Sequence, residues 1–271
     1  FNSGNGWSGT LQIEKQNPNN GNNNVPMLAI TAWNGANEQY TGGISFNRSN
    51  NNTNGTHGAV NTNQQLGNIA FNGSDGTNFI QGAEIFAIPD QTFATNDGPA
   101  SLVFATTPDG TSEDEPQERM RISSVGTITT PYQFHIEVQR TNDQTGYVAN
   151  ANFGTPMIFN DVVRTRGTTN SALNTSTGKI TVPVDGVYYL EGSVFTSTGN
   201  YLSQAWFTQG TSRMTYSDWT EHQDTNQVQA SGMHYLSANT EVGFHPYGSS
   251  NTSLTLGDSL YHTWFRVTLM G

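Results

Sequence analysis

Two short runs of alternating apolar residues, separated by a turn, most strongly limit how this chain can fold. The first run contains Ile180 and Val182 and is ended by Pro183. The second run is apolar at both sets of alternating positions: Val187, Tyr189 and Phe195 on one face, and Tyr188, Leu190 and Val194 on the other. A period of two predicts β-strands. Because a strand that is apolar on both faces has to be covered on both, we predict the second run to be an inner strand of a packed or self-associating sheet.

Glycines mark the turns around the first run. Gly178 precedes it, and Asp185–Gly186 separates it from the second run. Glycine adopts positive φ without steric cost, and Asp-Gly pairs are frequent in turns. We therefore expect positive φ at Gly178 and at the Asp185–Gly186 turn.

Composition favours an all-β fold over the whole chain. Only 11% of the 271 residues are charged, against about 25% in an ordinary globular domain. Asn, Thr, Ser, Gln and Gly replace them, and the residues that favour helices on exposed faces are scarce. No window of ten or more residues shows the 3.6-residue period of a helix.

Charge and cysteine content limit the classes of partner. The formal net charge is −11, which argues against binding of nucleic acid or of an anionic membrane through a basic face. No apolar run has the length of a membrane span, so we expect no membrane insertion. The chain has no Cys, and its stability has to come from packing and self-association. Since it begins at Phe1 without an initiator Met, we expect it to be the C-terminal piece of a longer protein.

Residues 1–130 differ from the rest of the chain in composition and in the spacing of their turn signals. Asn-Gly, Gly-Asn and Asp-Gly turn signals recur, and an Ile-small-Phe-Asn core at 43–47 returns 25 residues later at 68–72. Short strands with little core of their own indicate an elongated, repetitive β structure. The predicted strands are Thr10–Glu14, Met27–Trp33, Gly43–Asn47, Asn68–Asn72, Ala83–Ile88 and Leu102–Thr106.

The C-terminal half resembles the complement-one-q globular head of the tumour-necrosis-factor-like superfamily. Three segments carry the resemblance in the same order: TGKITVPVDGVYYL (Thr177–Leu190), LSANTEVGFHPYG (Leu236–Gly248) and SLYHTWFRVTLMG (Ser259–Gly271). Asn239-Thr240 stands where the family has Gly-Asp, and Trp264 where it has a small residue. The resemblance implies a jelly-roll sandwich, and we predict this head at residues 131–271.

A second resemblance covers roughly residues 40–130. LGNIAFNGSDGTNFIQGAEIFAI (Leu66–Ile88) and PASLVFATTPDGTSEDEPQERMRISSVGTI (Pro99–Ile128) are similar to the shaft repeat of bacteriophage tail fibres and tailspikes. ERMRI (Glu118–Ile122) is the most specific part. The resemblance implies a β-helical or β-prism shaft at 1–130, wound from three identical chains. It also implies a place in the virion tail among other tail proteins, where the trimer attaches to a glycan or protein of the host surface.

Carboxylates are the side chains of this sequence that could catalyse polysaccharide cleavage. Polysaccharide cleavage needs two of them about 5 to 10 Å apart across a cleft. Glu137 and Glu191 fall on predicted strands and could be neighbours in a sheet, but nothing pairs them with a cleft. No nucleophile elbow, phosphate loop or metal-ligand spacing occurs, so we predict no enzyme, no metal and no cofactor. We interpret the densest acidic cluster as solvent-exposed carboxylates in a turn-like segment. Its members are Glu113, Asp114, Glu115 and Glu118.

Alternation on the first and last strands of the head defines a candidate trimer interface. Phe134, Ile136 and Val138 form the apolar set of the first strand, and Phe265, Val267 and Leu269 that of the last. In the resembled fold these strands are neighbours in the sheet that faces the threefold axis. We predict that the polar set between them faces partner subunits: His135, Glu137, His262, Trp264 and Arg266.

A candidate receptor site lies among aromatic residues between Tyr201 and Trp219. Aromatic rings among small polar residues are typical of surfaces that bind sugars or proteins. If Leu202–Thr208 is a strand, one of Trp206 and Phe207 lies inside. We predict that Tyr216, Asp218 and Trp219 are exposed and bind the receptor.

Three alternatives to a receptor-binding tail protein remain open. They are a polysaccharide-degrading tailspike, a secreted lectin-like adhesion protein, and a head that is only a trimerisation clamp. Loss of polymer viscosity would favour the first, and collagen-like repeats with cysteines would have favoured the second. Deletion of the head would test the third.

Overall fold

The computed structural model describes residues 43–110, 115–148, 157–197, 202–214, 218–219, 226–248, 253–257 and 262–271. The regular structure of these residues consists of β-strands and one turn of 3₁₀ helix at Asn170–Ala172. The prediction of an all-β fold is therefore confirmed. No helix in these ranges is long and apolar enough to cross a membrane.

The first sheet is a meander in which every strand pairs antiparallel with the next. Predicted strands at 68–72, 83–88 and 102–106 fall within its first three members. No strand forms at 43–47, where Phe46 packs against Gly67 instead of pairing its backbone with the sheet. The predicted strands at 10–14 and 27–33 lie outside the described residues. The five strands are β1 (Gly67–Ser74), β2 (Phe79–Pro89), β3 (Ala100–Thr106), β4 (Gln117–Ile122) and β5 (Ile128–Thr129).

One face of this sheet is apolar on all five strands. Residues directly opposite each other in the register share a face, so Ile69, Ile85 and Phe104 form a row across it. We call this surface the apolar face. Four of its side chains are 40–62% exposed, namely Ile69, Phe71, Leu102 and Ile128. Ile85, Ala87, Phe104, Met120 and Ile122 complete it.

The remaining strands lie between residues 135 and 269. The domain boundary predicted at residue 131 falls in the segment between β5 and the next strand and stays a prediction. In chain order the strands are β6 (His135–Gln139), β7 (Gln144–Val148), β8 (Asp161–Arg166), β9 (Leu173–Asn174), β10 (Lys179–Thr181), β11 (Gly186–Phe195), β12 (Gln204–Gln209), β13 (Ser212–Arg213), β14 (Asp218–Trp219), β15 (Gln227–Leu236), β16 (Glu241–Tyr247), β17 (Ser253–Leu256) and β18 (Trp264–Leu269).

Strand order gives this half a jelly-roll arrangement. Six strands form one sheet in the order β14-β15-β11-β18-β6-β8, and five form another in the order β13-β12-β16-β10-β9. From β10 onward the chain crosses repeatedly between the two sheets, which is the connectivity of a jelly roll. β7 and β17 make a separate two-stranded ribbon.

The two sheets enclose a single hydrophobic core. β11 lies between β15 and β18, and its Tyr188, Leu190 and Val194 are buried in that core. This confirms the prediction of an inner strand, while the predicted cover of its second face is incomplete among the described residues. Val187 on the other face is 38% exposed. Phe207 of one sheet lies 5.8 Å from Phe265 of the other, measured between ring centroids.

The two predicted turn glycines have different physical roles. Gly178 has φ of +70°, as predicted. Gly186 does not have positive φ, and that prediction is wrong. It begins β11, where a Cβ would lie 2.6 Å from Cδ1 of Leu269, so close packing against the last strand accounts for the glycine.

We expect Gly178→Ala to destabilise the protein much more than Gly210→Ala. Both glycines have positive φ, +70° and +58°, and a left-handed alanine costs about 1–2 kcal/mol. At Gly178 an added Cβ would also collide with the carbonyl oxygen of Met157 and the Cα of Ile158, whereas at Gly210 it would meet nothing within 4 Å. Forced backbone shifts of this kind add about 1–3 kcal/mol. Urea unfolding of both variants checks this, and equal losses would contradict it.

Candidate functional site

A cleft of about 600 Å³ opens between the β12–β13 hairpin and β15. Its volume falls within the roughly 300–1,000 Å³ of small-molecule sites. The hairpin belongs to the five-stranded sheet and β15 to the six-stranded sheet, so the cleft lies where the two sheet edges come together. Its lining residues are Gln209, Ser212, Arg213, Met214, Met233, His234 and Tyr235.

Arg213 is held in the cleft wall by stacking on an aromatic pair. It lies opposite Thr208 in the hairpin register, which makes Trp206 its diagonal neighbour. The guanidinium carbon is 3.6 Å from the centroid of the Trp206 ring, within the range of a cation–π contact. Trp206 in turn stacks on Tyr247 with centroids 4.8 Å apart and planes 11° apart.

This stack explains how the two neighbouring aromatics of β12 are both buried. Phe207 belongs to the core, as predicted for one member of the pair. Trp206 points to the other face yet is only 6% exposed. Its contacts with Arg213 and Tyr247 cover it.

His234 contributes an uncharged ring to the cleft. Burial lowers the pKa of its imidazole below the ordinary value of 6.5. The ring meets Phe207 edge-on at 6.2 Å, and no described residue forms a hydrogen bond with its buried Nε2. At neutral pH Arg213 therefore supplies the positive charge among the lining residues.

The predicted receptor residues lie beside this cleft along the chain. Tyr216 is outside the described residues. Asp218 and Trp219 form β14, whose backbone pairs with Ser231 and Ala230 of β15, and their side chains are not described. β14 is thus two residues along β15 from Met233, the first cleft residue of that strand. Their role in receptor binding stays a prediction.

Three of the five predicted interface residues, Glu137, Trp264 and Arg266, come together on the outer face of the six-stranded sheet. Arg266 contacts Glu137 at 3.3 Å and Glu191 at 3.5 Å, and Glu137 also contacts Arg164 at 4.0 Å. Glu191, Arg266, Glu137 and Arg164 thus form a row across β11, β18, β6 and β8, which we call the charge ladder. Trp264 packs on Arg266 at 4.3 Å.

The other two predicted interface residues border the charge ladder. His135 forms a 2.8 Å hydrogen bond with Thr268, and its pKa is lowered by burial and by the nearby Arg166. His262 is exposed just before β18 and lies 6.1 Å from the ring of Phe195. A contact of any of these residues with a partner subunit stays a prediction.

Exposure makes the charge ladder weak within one chain. The side chain of Arg266 is 39% exposed and that of Arg164 is 73% exposed, whereas that of Glu137 is 12% exposed. Ion pairs open to water contribute little, roughly 0–1 kcal/mol each. Covering the ladder with another protein surface would lower the local dielectric and strengthen the pairs.

Two of the carboxylates considered for catalysis share one arginine. Glu137 and Glu191 belong to the same sheet with β18 between their strands, and Arg266 contacts both. Glu118 of the acidic cluster forms an ion pair of 2.6 Å with Arg121. Glu113 and Asp114 lie outside the described residues. Within those residues no group of three or more His, Asp or Glu is placed to hold a metal ion.

Comparisons with known proteins extend over about half of the chain. No family model and no curated protein matches it. Among solved structures, the globular domain of zebrafish complement 1qA protein is 17% identical, with 51% of this chain and 98% of that chain covered and a TM-score of 0.37. Murine APRIL at pH 8.0 is 12% identical, with 51% and 99% covered and a TM-score of 0.38. Eiger TNF from S. frugiperda is 12% identical, with 51% and 94% covered and a TM-score of 0.34.

We expect the imidazole of His234 to titrate below pH 6.5, because burial disfavours its charged form. The sign for stability follows: the unfolded chain takes up this proton first, so folding loses stability as pH falls below 6.5 toward the lower folded pKa. NMR titration of the ring Cε1–H signal, assigned with His234→Gln, measures the midpoint. A midpoint at or above 6.5 would contradict the burial.

Proposed function

We propose that this protein is the distal, trimeric part of a bacteriophage tail fibre or tailspike, and that its jelly-roll head attaches the virion to a host-cell glycan or surface protein. The apolar face of the first sheet carries the proposal. A soluble protein rarely leaves such a face open to water. The resemblance of residues 66–128 to tail-fibre shafts supplies the partner, which is two further copies of the same chain.

Burial of the apolar face would supply a substantial driving force for assembly. Transfer of one large apolar side chain from water contributes roughly 1.5–3 kcal/mol. Ile69, Phe71, Leu102 and Ile128 are each 40–62% exposed, so every chain would gain several kcal/mol by covering them. Three copies around one axis give a closed assembly in which no apolar face remains free.

The charge ladder supports the same assembly in the head. Its acidic and basic groups alternate, so each has a complementary group to offer to a copy of itself. Charged groups of this kind fix register and orientation more than they add affinity. The head would thereby hold three chains in register at one end of the shaft.

The cleft beside β15 is the proposed attachment site. It lies beyond β11 from the strands that carry most of the ladder, so assembly through β18, β6 and β8 leaves it open. A weak single site becomes effective when three heads and several fibres bind one cell surface, since avidity multiplies the affinity. In this proposal the protein acts outside the host cell and is joined to other tail proteins.

We expect the chain to have a solution mass of about 88 kDa by light scattering, three times the 29.4 kDa of one chain. The double substitution Trp264→Ala and Arg266→Ala should lower the temperature or raise the concentration at which the trimer dissociates. Arg213→Ala is the control, because this guanidinium also stacks on a tryptophan but lines the cleft that the proposed assembly leaves open. A folded monomer of the unmodified chain would rule out the proposal, and a trimer indifferent to the double substitution would rule out this interface.

We expect the double substitution Ile69→Ser and Phe71→Ser to weaken the trimer. Both side chains lie on the apolar face and are about half exposed, so their loss removes roughly 1.5–3 kcal/mol of the apolar burial that assembly would add per chain. Ala70→Ser is the matched control, because it changes the same strand on the opposite face. Urea resistance of the oligomer, followed by light scattering, checks the expectation. Equal behaviour of both variants would show that the face is not buried on assembly.

Deletion of residues 131–271 tests whether the head binds the host receptor or only holds the three chains together. If the head binds the receptor, purified full-length protein should compete with virions for the host surface, and a chain substituted at Trp219 and Tyr216 should compete less well. A substituted chain that still forms trimers and competes normally would exclude these two residues from the receptor site, whereas unsubstituted protein that fails to compete would favour the clamp alternative.

A further inference from the structure

We propose that the cleft between the β12–β13 hairpin and β15 binds a saccharide that carries a carboxylate, such as a uronic acid. This inference rests on the proposed attachment function and names the ligand class of the same site. It is argued from one cation, two exposed apolar groups and two neutral polar groups that line the cleft.

Arg213 supplies the anion-binding group. No described carboxylate forms an ion pair with it, although the chain as a whole carries a net charge of −11. Stacking on Trp206 occupies the flat face of the guanidinium and leaves its in-plane N–H groups for an acceptor. Two parallel hydrogen bonds from these groups match the geometry of a planar carboxylate.

Tyr235 and Met233 supply the surface for a sugar ring. They are 69% and 62% exposed, large fractions for apolar side chains in a folded strand. A pyranose has one face of C–H groups that packs on aromatic and thioether surfaces. Ser212 and Gln209 add a hydroxyl and an amide, each able to donate to and accept from sugar hydroxyls.

The charge of the lining favours one carboxylate over a phosphate or an acidic peptide. Arg213 is the single cation among the described lining residues, since burial keeps His234 neutral. A phosphate group or a run of acidic residues would bring at least about two negative charges to this one guanidinium. A uronic acid brings one charge and an apolar ring face, which matches the lining.

Glucuronic acid and glucose make a matched pair of probes, because they differ only in the carboxylate at C6. In calorimetric titration of the full chain we expect glucuronic acid to bind at least ~10-fold more tightly than glucose, a difference of ~1.4 kcal/mol. Arg213→Gln should remove this selectivity. Arg119→Gln is the control, because Arg119 stacks on Tyr132 at 4.4 Å in the same way but belongs to the first sheet, and it should keep the selectivity.

Tyr235→Ala provides a second readout that does not depend on Arg213. The side chain is exposed, so the variant should fold, and it should weaken both sugars by a similar factor of ~3 or more while preserving their ratio. Equal affinity for the two sugars, or selectivity that survives Arg213→Gln, would overturn the inference. Binding of inorganic phosphate or of a glutamate-rich peptide in place of glucuronic acid would overturn it as well.

The same variants separate this inference from the attachment proposal. If Arg213→Gln abolishes glucuronic acid binding while the virion-competing activity of the trimer is unchanged, the cleft binds the sugar but the receptor binds elsewhere, and the attachment role of the cleft fails. A chain that is monomeric but binds glucuronic acid through Arg213 would support the cleft and remove the tail-fibre proposal.

Discussion

Three phenylalanine rings hold the two sheets of the C-terminal half together. Phe207 and Phe244 of one sheet lie 5.8 and 5.9 Å from Phe265 of the other, and they lie 5.6 Å from each other. Because apolar surface buried between the sheets stabilises both at once, every strand that reaches this cluster is fixed in register. The outer faces of the sheets and the edge that forms the cleft depend on that framework.

Within the described residues no second sheet packs on the apolar face of the first sheet, and this distinguishes it from the C-terminal half. In the head, one set of alternating residues on each inner strand faces the other sheet, as Tyr188, Leu190 and Val194 of β11 do. In the first sheet, Val103 and Ala105 on one face are buried, while the apolar face on the other side remains open. The chain has few apolar residues, 33% in total, and the proposed trimer would bury those that the first sheet exposes.

Local patterns predicted much of the fold but little of the cleft. The period of two at Tyr188, Leu190 and Val194 was sufficient to predict β11, because alternate residues of a strand lie on opposite faces of the sheet. The register of the hairpin depends on the turn at Gly210, and it brings Arg213 next to Trp206 although seven positions separate them. How the hairpin meets β15 depends on the packing of two sheets, which no short segment encodes. The arrangement of Glu137 and Glu191 has a similar origin, since the last strand of the chain inserts between their two strands.

Arg213 lies on a two-residue strand at the very edge of its sheet, joined to β12 by the tight turn at Gly210. An edge strand pairs on one side only, so the residues beyond it can change in number or type without displacing an inner strand. Phe207, which belongs to the phenylalanine cluster, lies on β12 before the turn and is buried in the core. Lineages of this protein could therefore exchange the β12–β13 tip and diverge in what they recognise while the packed framework stays constant.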